Sequence, residues 1–302
     1  YSRDLWWLIE SDFKSSIIGE AAIKNMLTYN LFETALKALP IQNKGIFLQE
    51  YQGWESGFIH IWNSSEHKNE VIGFPHSTVR YWDLRYYFDS RIVSDEKRLS
   101  MPVPDKIAVY SSSIKAEYLH SGYTENRLIH VEALRYLNCK ITTNTEKITN
   151  KECFTVLVLG DYIKKNTDNQ MHLLEKADQN IDIKIYYIVK PHPYCTIHAS
   201  DYPQLDMITT DAPIHSLISS CNIVYTSSET SASLDAYCCG KPIITVLDQV
   251  SLNRSPLRGH KDVSFVSSVE DVRRAIINIK SNNQSNDFYS VRRDMNAAPV
   301  SA

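Results

Sequence analysis

The sequence predicts an α/β fold made of two Rossmann-like domains facing a cleft, and three observations carry that expectation. Apolar runs of strand length alternate with helical patterns through residues 154–279. A shorter series of the same kind occupies residues 45–120. The 302 residues also exceed what one core of ordinary size serves. Strands alternating with helices imply parallel, right-handed, doubly wound sheets.

In the first half, residues 15–39 read as one long helix stopped by Pro40. Gly45–Glu50 is an expected strand and Trp54–Trp62 a helix. Val71–Phe74 is a strand broken at Pro75, and residues 105–110 form another, followed by a helix to about His120. This half has fewer strands than a complete nucleotide-binding fold. A polar stretch near 138–152, rich in Asn, Thr and Lys, reads as the linker.

The second half is more regular. Phe154–Gly160 reads as a fully buried strand, residues 167–179 as a helix, and Ile183–Val189 as the next strand, stopped by Pro191 and Pro193. Met207–Thr210 is a short strand. Pro213 suits the first position of a helix reaching Ser220, with Asp211 or Ala212 near its cap. Asn222–Thr226 is a strand, Glu229–Cys239 a helix closed by Gly240, and Lys241–Leu247 a strand. Val269–Ile279 is an amphipathic helix opened by Ser267 or Ser268. The expected domains are therefore 1–145 and 146–282. An Asn- and Ser-rich tail of 283–302 is expected to be loose.

Composition sets outer bounds. A net charge of −3 offers no general attraction for nucleic acid. The six cysteines, at 139, 153, 195, 221, 238 and 239, lack the spacing of a zinc site or a disulfide framework. Reduced thiols and a cytoplasmic location are the expectation. No run of 18 apolar residues is present, so no transmembrane segment is expected; membrane contact would be peripheral, at the inner face.

Two short segments concentrate the chemistry. Val189-Lys190-Pro191-His192-Pro193 ends one apolar run, and Tyr225-Thr226-Ser227-Ser228-Glu229-Thr230-Ser231 ends another, 35 residues on from His192 to Ser227. In open α/β sheets ligands bind past the carboxyl ends of strands. Prolines on both sides hold His192 extended. Its imidazole can donate a hydrogen bond or a charge to a phosphate. Ser227 and Ser228, with the N–H groups of Glu229, Thr230 and Ser231 at the next helix start, would cradle that phosphate. N-capping is the plainer role for the serines. Lys190 either adds charge there or lies in solvent, and Asp211 either reaches the base or ribose or caps a helix.

These residues carry a resemblance. Residues 154–247 are similar to the donor-binding domain of GT-B glycosyltransferases. The His-Pro and Ser-Ser pair resembles bacterial transferases using CMP-activated sugars: sialyl, pseudaminyl, legionaminyl and Kdo transferases. The segments Gln49–Glu55 and Gly73–Tyr86 resemble bacterial surface-carbohydrate biosynthesis proteins. The resemblance covers most of residues 40–280. It implies contacts from His192, Ser227 and Ser228 to the CMP phosphate, a CMP-sugar donor, and a glycan or lipid-linked glycan acceptor.

The physics agrees with such a donor. CMP leaves with one phosphate, whereas a diphosphate usually needs a divalent metal or several cations. The sequence has no Asp-x-Asp motif. No metal and no cofactor are expected. The catalytic carboxylate is expected in the first domain: Glu50 at a strand end, or Glu55 one turn into the next helix, where helix-dipole complementarity is the rival role. His76 follows the next strand as a further catalytic or contact residue. Arg80 and Arg85 suit a sugar carboxylate, or pair structurally with Asp83. Gln52, Trp54, Ser77 and Trp82 complete the expected sugar contacts, with core packing the rival role for the aromatics. One base would imply inversion, and a nucleophile with a separate acid retention. Transfer of a polyol phosphate from a CDP donor, with Arg254 and Arg258 on the diphosphate, is an alternative. A UDP-sugar enzyme using Glu229 or Asp235 on the ribose is another, and a non-catalytic nucleotide- or sugar-binding subunit a third.

Overall fold

The computed structural model describes residues 5–67, 70–75, 77–80, 83–89, 101–133, 154–260 and 262–284. The chain divides into two compact units. One comprises Tyr1–Ser77 and Leu84–Val131, the other Thr78–Asp83 and Glu132–Ala302. The expected linker near 138–152 and the tail from 285 lie outside the described residues.

The first unit opens with helices α1 (Trp6–Ile18) and α2 (Glu20–Ala38). One long helix over 15–39 was the expectation. The helical pattern in fact begins at Trp6 and breaks at Gly19, where a Cβ would lie 2.8 Å from Ser15 Cα. Strand β1 (Gly45–Gln49), helix α3 (Gly53–Ser64), β2 (Val71–Pro75), β3 (Lys106–Val109), helix α4 (Ser112–His120) and β4 (Leu128–His130) follow. The strands form one parallel sheet in the order β1-β2-β3-β4. The short β4 was not expected. Phe47 of β1, Val71 of β2, Ile59 and Trp62 of α3 and Leu36 of α2 make the core. On the other face of β1, Ile46 and Leu48 are exposed.

The second unit holds β5 (Phe154–Leu159), helix α5 (Lys164–Asp178), β6 (Ile185–Lys190), β7 (Met207–Thr209), helix α6 (Ile214–Ser220), β8 (Ile223–Ser227), helix α7 (Ala232–Cys238), β9 (Ile243–Val246), β10 (Val263–Val266) and helix α8 (Val269–Gln284). All six strands are parallel, in the order β10-β9-β8-β5-β6-β7. Alternation along the strands sorts the core into two layers. Val156, Val158, Tyr187, Ile223, Tyr225 and Ile244 face Met171 and Leu174 of α5 and Val272 and Ile276 of α8. Leu157, Leu159, Val224 and Ile243 face Leu217 and Ile218 of α6 and Ala236 and Tyr237 of α7. Both faces are covered, which is why these strands read as unbroken apolar runs.

Caps follow the sequence with two changes. Gly240, at φ 74°, closes α7 in the left-handed conformation that favours glycine, and Lys241 N donates to Ala236 O at 3.1 Å. Ser268 opens α8, its hydroxyl accepting from Asp271 N at 3.2 Å. Pro213 caps α6 instead of starting it. Helix α7 begins at Ala232, three residues later than expected, and is seven residues long.

Candidate functional site

In the second sheet the strand order reverses between β5 and β8. The crevice past their carboxyl ends is where this architecture places ligands. Two residues tie the strands together beneath it. Gln170 of α5 is fully buried, and its Nε2 donates to Leu159 O at 3.0 Å. The Tyr225 hydroxyl returns a bond to Gln170 O at 2.9 Å.

Asp161, two residues past β5, is 1% exposed. Its carboxylate accepts from the Ser227 hydroxyl, from Ile163 N at 2.9 Å and from Asn166 Nδ2 at 3.2 Å. The Ser227 oxygen also accepts from Glu229 N at 3.4 Å. Ser227 is therefore occupied on both sides: it gives its proton to Asp161 and orders the turn. Ser228 is half-buried and its hydroxyl makes no hydrogen bond among the described residues. Because α7 starts only at Ala232, the backbone N–H of Glu229 serves the turn, not a helix start. Thr230 is half-buried, and its carbonyl accepts from Ser233 Oγ at 2.9 Å.

Arg80 completes the turn from the Thr78–Asp83 segment. Its Nη2 donates to the Glu229 carbonyl, and its Nη1 lies 3.9 Å from Glu229 Oε2. The Arg80 and Glu229 side chains are 19% and 9% exposed. Arg80 Nε and Glu229 Oε2 are buried with no hydrogen bond among the described residues. The guanidinium expected on a sugar carboxylate is thus engaged with the turn after β8.

The His192 loop follows β6, beside β5. Cys195 N donates to His192 O at 2.8 Å, closing a tight turn over Pro193 and Tyr194. Tyr194 N donates to His192 Nδ1 at 3.2 Å. That bond places the ring proton on Nε2, which has no partner among the described residues and can donate. Gly160 lets the two loops approach: a Cβ there would stand 3.1 Å from His192 N and 3.3 Å from Pro191 Cα. Strands β6 and β8 flank β5, so His192 and Ser228 start about 10 Å apart across two strand spacings.

His67 shows the contrasting case. Its Nδ1 accepts from Gln42 N at 3.0 Å and its Nε2 faces Leu36 O at 2.8 Å. Both nitrogens are spent on backbone, beside a first-unit cavity lined by Leu36, Ile61 and His67 itself. That histidine is structural.

Other expected residues fall as follows. Lys190 donates to the carbonyls of Asp211 and Ala212 at 3.2 and 2.9 Å, so its charge anchors the loop after β7. Asp211 is exposed on that loop. Arg254 follows β9 with a buried Nε that has no partner among the described residues. In the first unit, Glu55 is 4% exposed and its Oε1 accepts from Glu50 N at 2.7 Å and Gln52 N at 3.0 Å. Glu55 therefore holds the start of α3. Glu50 is half-buried one residue past β1, and Gln52 is exposed at the cap of α3. Trp54 is half-buried and packs on Phe32 and Phe47 at 5.8 and 6.2 Å, against the first-unit core. The Ser77 hydroxyl lies 3.3 Å from the Tyr86 hydroxyl. Arg85 lies over the Tyr86 ring at 5.6 Å. His76, Tyr81 and Trp82 lie outside the described residues.

Sequence reasoning missed Asp161 and Tyr51. Tyr51 has φ 60°, costly for a bulky side chain, between Glu50 and Gln52. It is held by a 2.9 Å contact between its hydroxyl and that of Tyr123, and by the Tyr86 and Phe88 rings at 5.1 and 5.2 Å. Among the described residues, no three His, Cys, Asp or Glu side chains are grouped to hold a metal, and no helix is long and apolar enough to cross a membrane.

Solved structures share the fold. S. aureus MnaA in complex with UDP superposes with a TM-score of 0.58 at 11% identity, covering 92% of this chain and 76% of that one. The fold is of the GT-B type. UDP-GlcNAc 2-epimerase from Neisseria meningitidis bound to UDP-GlcNAc gives 0.54 at 9% identity, over 86% and 74% of the two chains. A glycosyltransferase from Rickettsia africae gives 0.51 at 11%, over 85% and 71%. No protein-family model and no curated protein matches the sequence. Identities this low establish a shared fold, and one fold hosts many chemistries.

Proposed function

We propose that this protein is a glycosyltransferase that moves a nonulosonic or ulosonic acid from a CMP-sugar to a hydroxyl of a bacterial surface glycan. One observation carries the reading: the donor face of His192 stands open at the end of β6, across Gly160 from the open hydroxyl of Ser228. Two neutral donors beside one committed arginine suit the single phosphate of CMP better than a diphosphate.

In the transfer, the bond between the anomeric carbon and the phosphate oxygen breaks, and the acceptor oxygen bonds to that carbon. His192 Nε2–H and Ser228 stabilise the departing CMP phosphate. The acceptor proton goes to a first-unit carboxylate. Glu50, one residue past the end of β1, is the carboxylate proposed for that role.

A second reading, a UDP-sugar enzyme, is favoured by the UDP and UDP-GlcNAc held in the similar structures. Nucleotide release from CMP-N-acetylneuraminate, CMP-Kdo and UDP-GlcNAc, each with a mixed glycan acceptor, separates the two. The proposal expects CMP release, reduced by about 100-fold or more in His192→Ala and in Glu50→Gln. Release of UDP alone would replace it with the second reading.

A further inference from the structure

Beside His192 stand two tyrosines that the phosphate site does not use. Tyr194 is 89% exposed and Tyr162 is 51% exposed. Their ring centroids lie 5.5 and 6.0 Å from that of His192, tilted by 40° and 58°. They come from different strand ends, Tyr162 after β5 and Tyr194 after β6, yet converge on one imidazole. Single exposed aromatics are common on protein surfaces. Two bracketing one open donor are not explained that way.

The exposure of Tyr194 also has a rigid cause. The turn His192–Cys195 is closed by a backbone bond of 2.8 Å, Pro193 fixes the backbone before Tyr194, and Cys195 is buried beneath it. The backbone N–H of Tyr194 is itself bound to His192 Nδ1. The ring is therefore held out at the ligand edge of the sheet, with two χ angles left to order. A pre-placed tyrosine gives much contact area for little lost entropy. On the opposite flank the turn after β8 is filled by the Arg80–Glu229 pair and by Asp161. The open flat surface next to the phosphate position is the tyrosine side.

We propose that Tyr194, with Tyr162, is the stacking platform for the pyrimidine base of the nucleotide whose phosphate His192 binds. A nucleoside monophosphate places a planar base one ribose away from its phosphate, and an aromatic face takes such a base whatever its edge pattern. The platform supplies affinity for the base; choice between cytosine and uracil falls to other groups. This rests on the phosphate-site reading above.

Titration calorimetry on the full chain with CMP, ribose 5-phosphate and cytidine 5′-monophospho-N-acetylneuraminate tests it. Wild type is expected to bind CMP about tenfold or more tightly than ribose 5-phosphate. Tyr194→Ala should weaken CMP by about tenfold and leave ribose 5-phosphate unchanged, while Tyr194→Phe keeps CMP affinity. His192→Ala should weaken both. Equal effects of Tyr194→Ala on CMP and ribose 5-phosphate, or no effect on either, would overturn the platform. So would a loss confined to the CMP-sugar, which would assign the ring to the sugar. If neither phosphate compound binds wild type, the phosphate-site reading itself falls. Tyr194 is exposed, so an unchanged thermal midpoint confirms that its variants fold.

Discussion

In the second unit β8 is buried at all five positions, and helices cover both faces of the sheet around it. In the first unit β1 alternates, with Ile46 68% and Leu48 57% exposed, and α1 buries no residue. The difference bears on chemistry. A buried carboxylate keeps a fixed geometry where its surroundings exclude water and supply its hydrogen bonds, as they do for Asp161 past β5 and for Glu55 in the first turn of α3. The second unit has that environment at its strand ends. Among the described residues the first unit has it only at Glu55, and adds an interlocked set of tyrosines around the strained backbone of Tyr51.

The sharpest way to break this contrast is to make the same kind of change in both sheets. Leu157→Ala, at a fully buried position of β5, should cost about 2–5 kcal/mol in urea denaturation. Leu48→Ala on the open face of β1 should stay within about 0.5 kcal/mol. Equal costs would mean that the two sheets are covered alike.

Arg80→Ala should cost about 3 kcal/mol, because it leaves the Glu229 carboxylate buried without its cation. A second substitution, Glu229→Gln, should recover part of the loss. A thermal midpoint unmoved by Arg80→Ala would show that this pair does not order the turn.

The tyrosines sharpen the comparison through pH. Burial pushes the Tyr123 hydroxyl up to about 12, and burial likewise holds Tyr51 and Tyr118 well above the ordinary value. A raised phenol pKa favours the protonated folded form. Its stabilisation is complete below about pH 10, the unfolded value, and is lost as pH rises through about 12. Phenolate absorbance should therefore appear in two steps, exposed rings first and buried rings last, with Tyr187 and Tyr225 of the second unit, also held up by burial, in the late step and structure lost with it. One step near 10 would contradict the buried set.

The smallest effect concerns thiols. Burial pushes Cys221 up to about 11, so at pH 8 it remains a protonated, shielded thiol. Iodoacetamide followed by peptide mapping should label the half-buried Cys238 and Cys239 well before Cys221. Early labelling of Cys221 would show that the layer under β8 opens.

Strands β5, β6, β8 and β9 were legible because burial on two faces writes itself as continuous apolar sequence. β10 was not, since four residues with Ser264 among them carry too little pattern. The helix break at Gly19 was hidden inside an unbroken periodicity. Of the proposed site, His192 and Ser228 were singled out in the sequence by the pairing of two polar motifs at strand ends. Asp161 was not, because only the pairing of β5 with β8 brings it to Ser227 across 66 residues. Arg80 reaches Glu229 across 149 residues, and no local spacing encodes that contact. The late start of α7 has the same origin: Ser227 is engaged by Asp161, so the turn runs on before the helix begins.

The proposed transfer requires an open single-phosphate site built on His192 and Ser228. A thermal-shift titration with CMP, CDP, UMP and UDP, with and without EDTA, on wild type and His192→Ala, tests it most directly. A ligand that binds only the folded state raises stability by RT ln(1 + [L]/Kd), about 2.7 kcal/mol at a hundredfold excess over Kd. The account predicts the largest shift with CMP, unchanged by EDTA and lost in His192→Ala. Stabilisation by UDP or CDP above CMP, or CMP binding that survives His192→Ala, would contradict it.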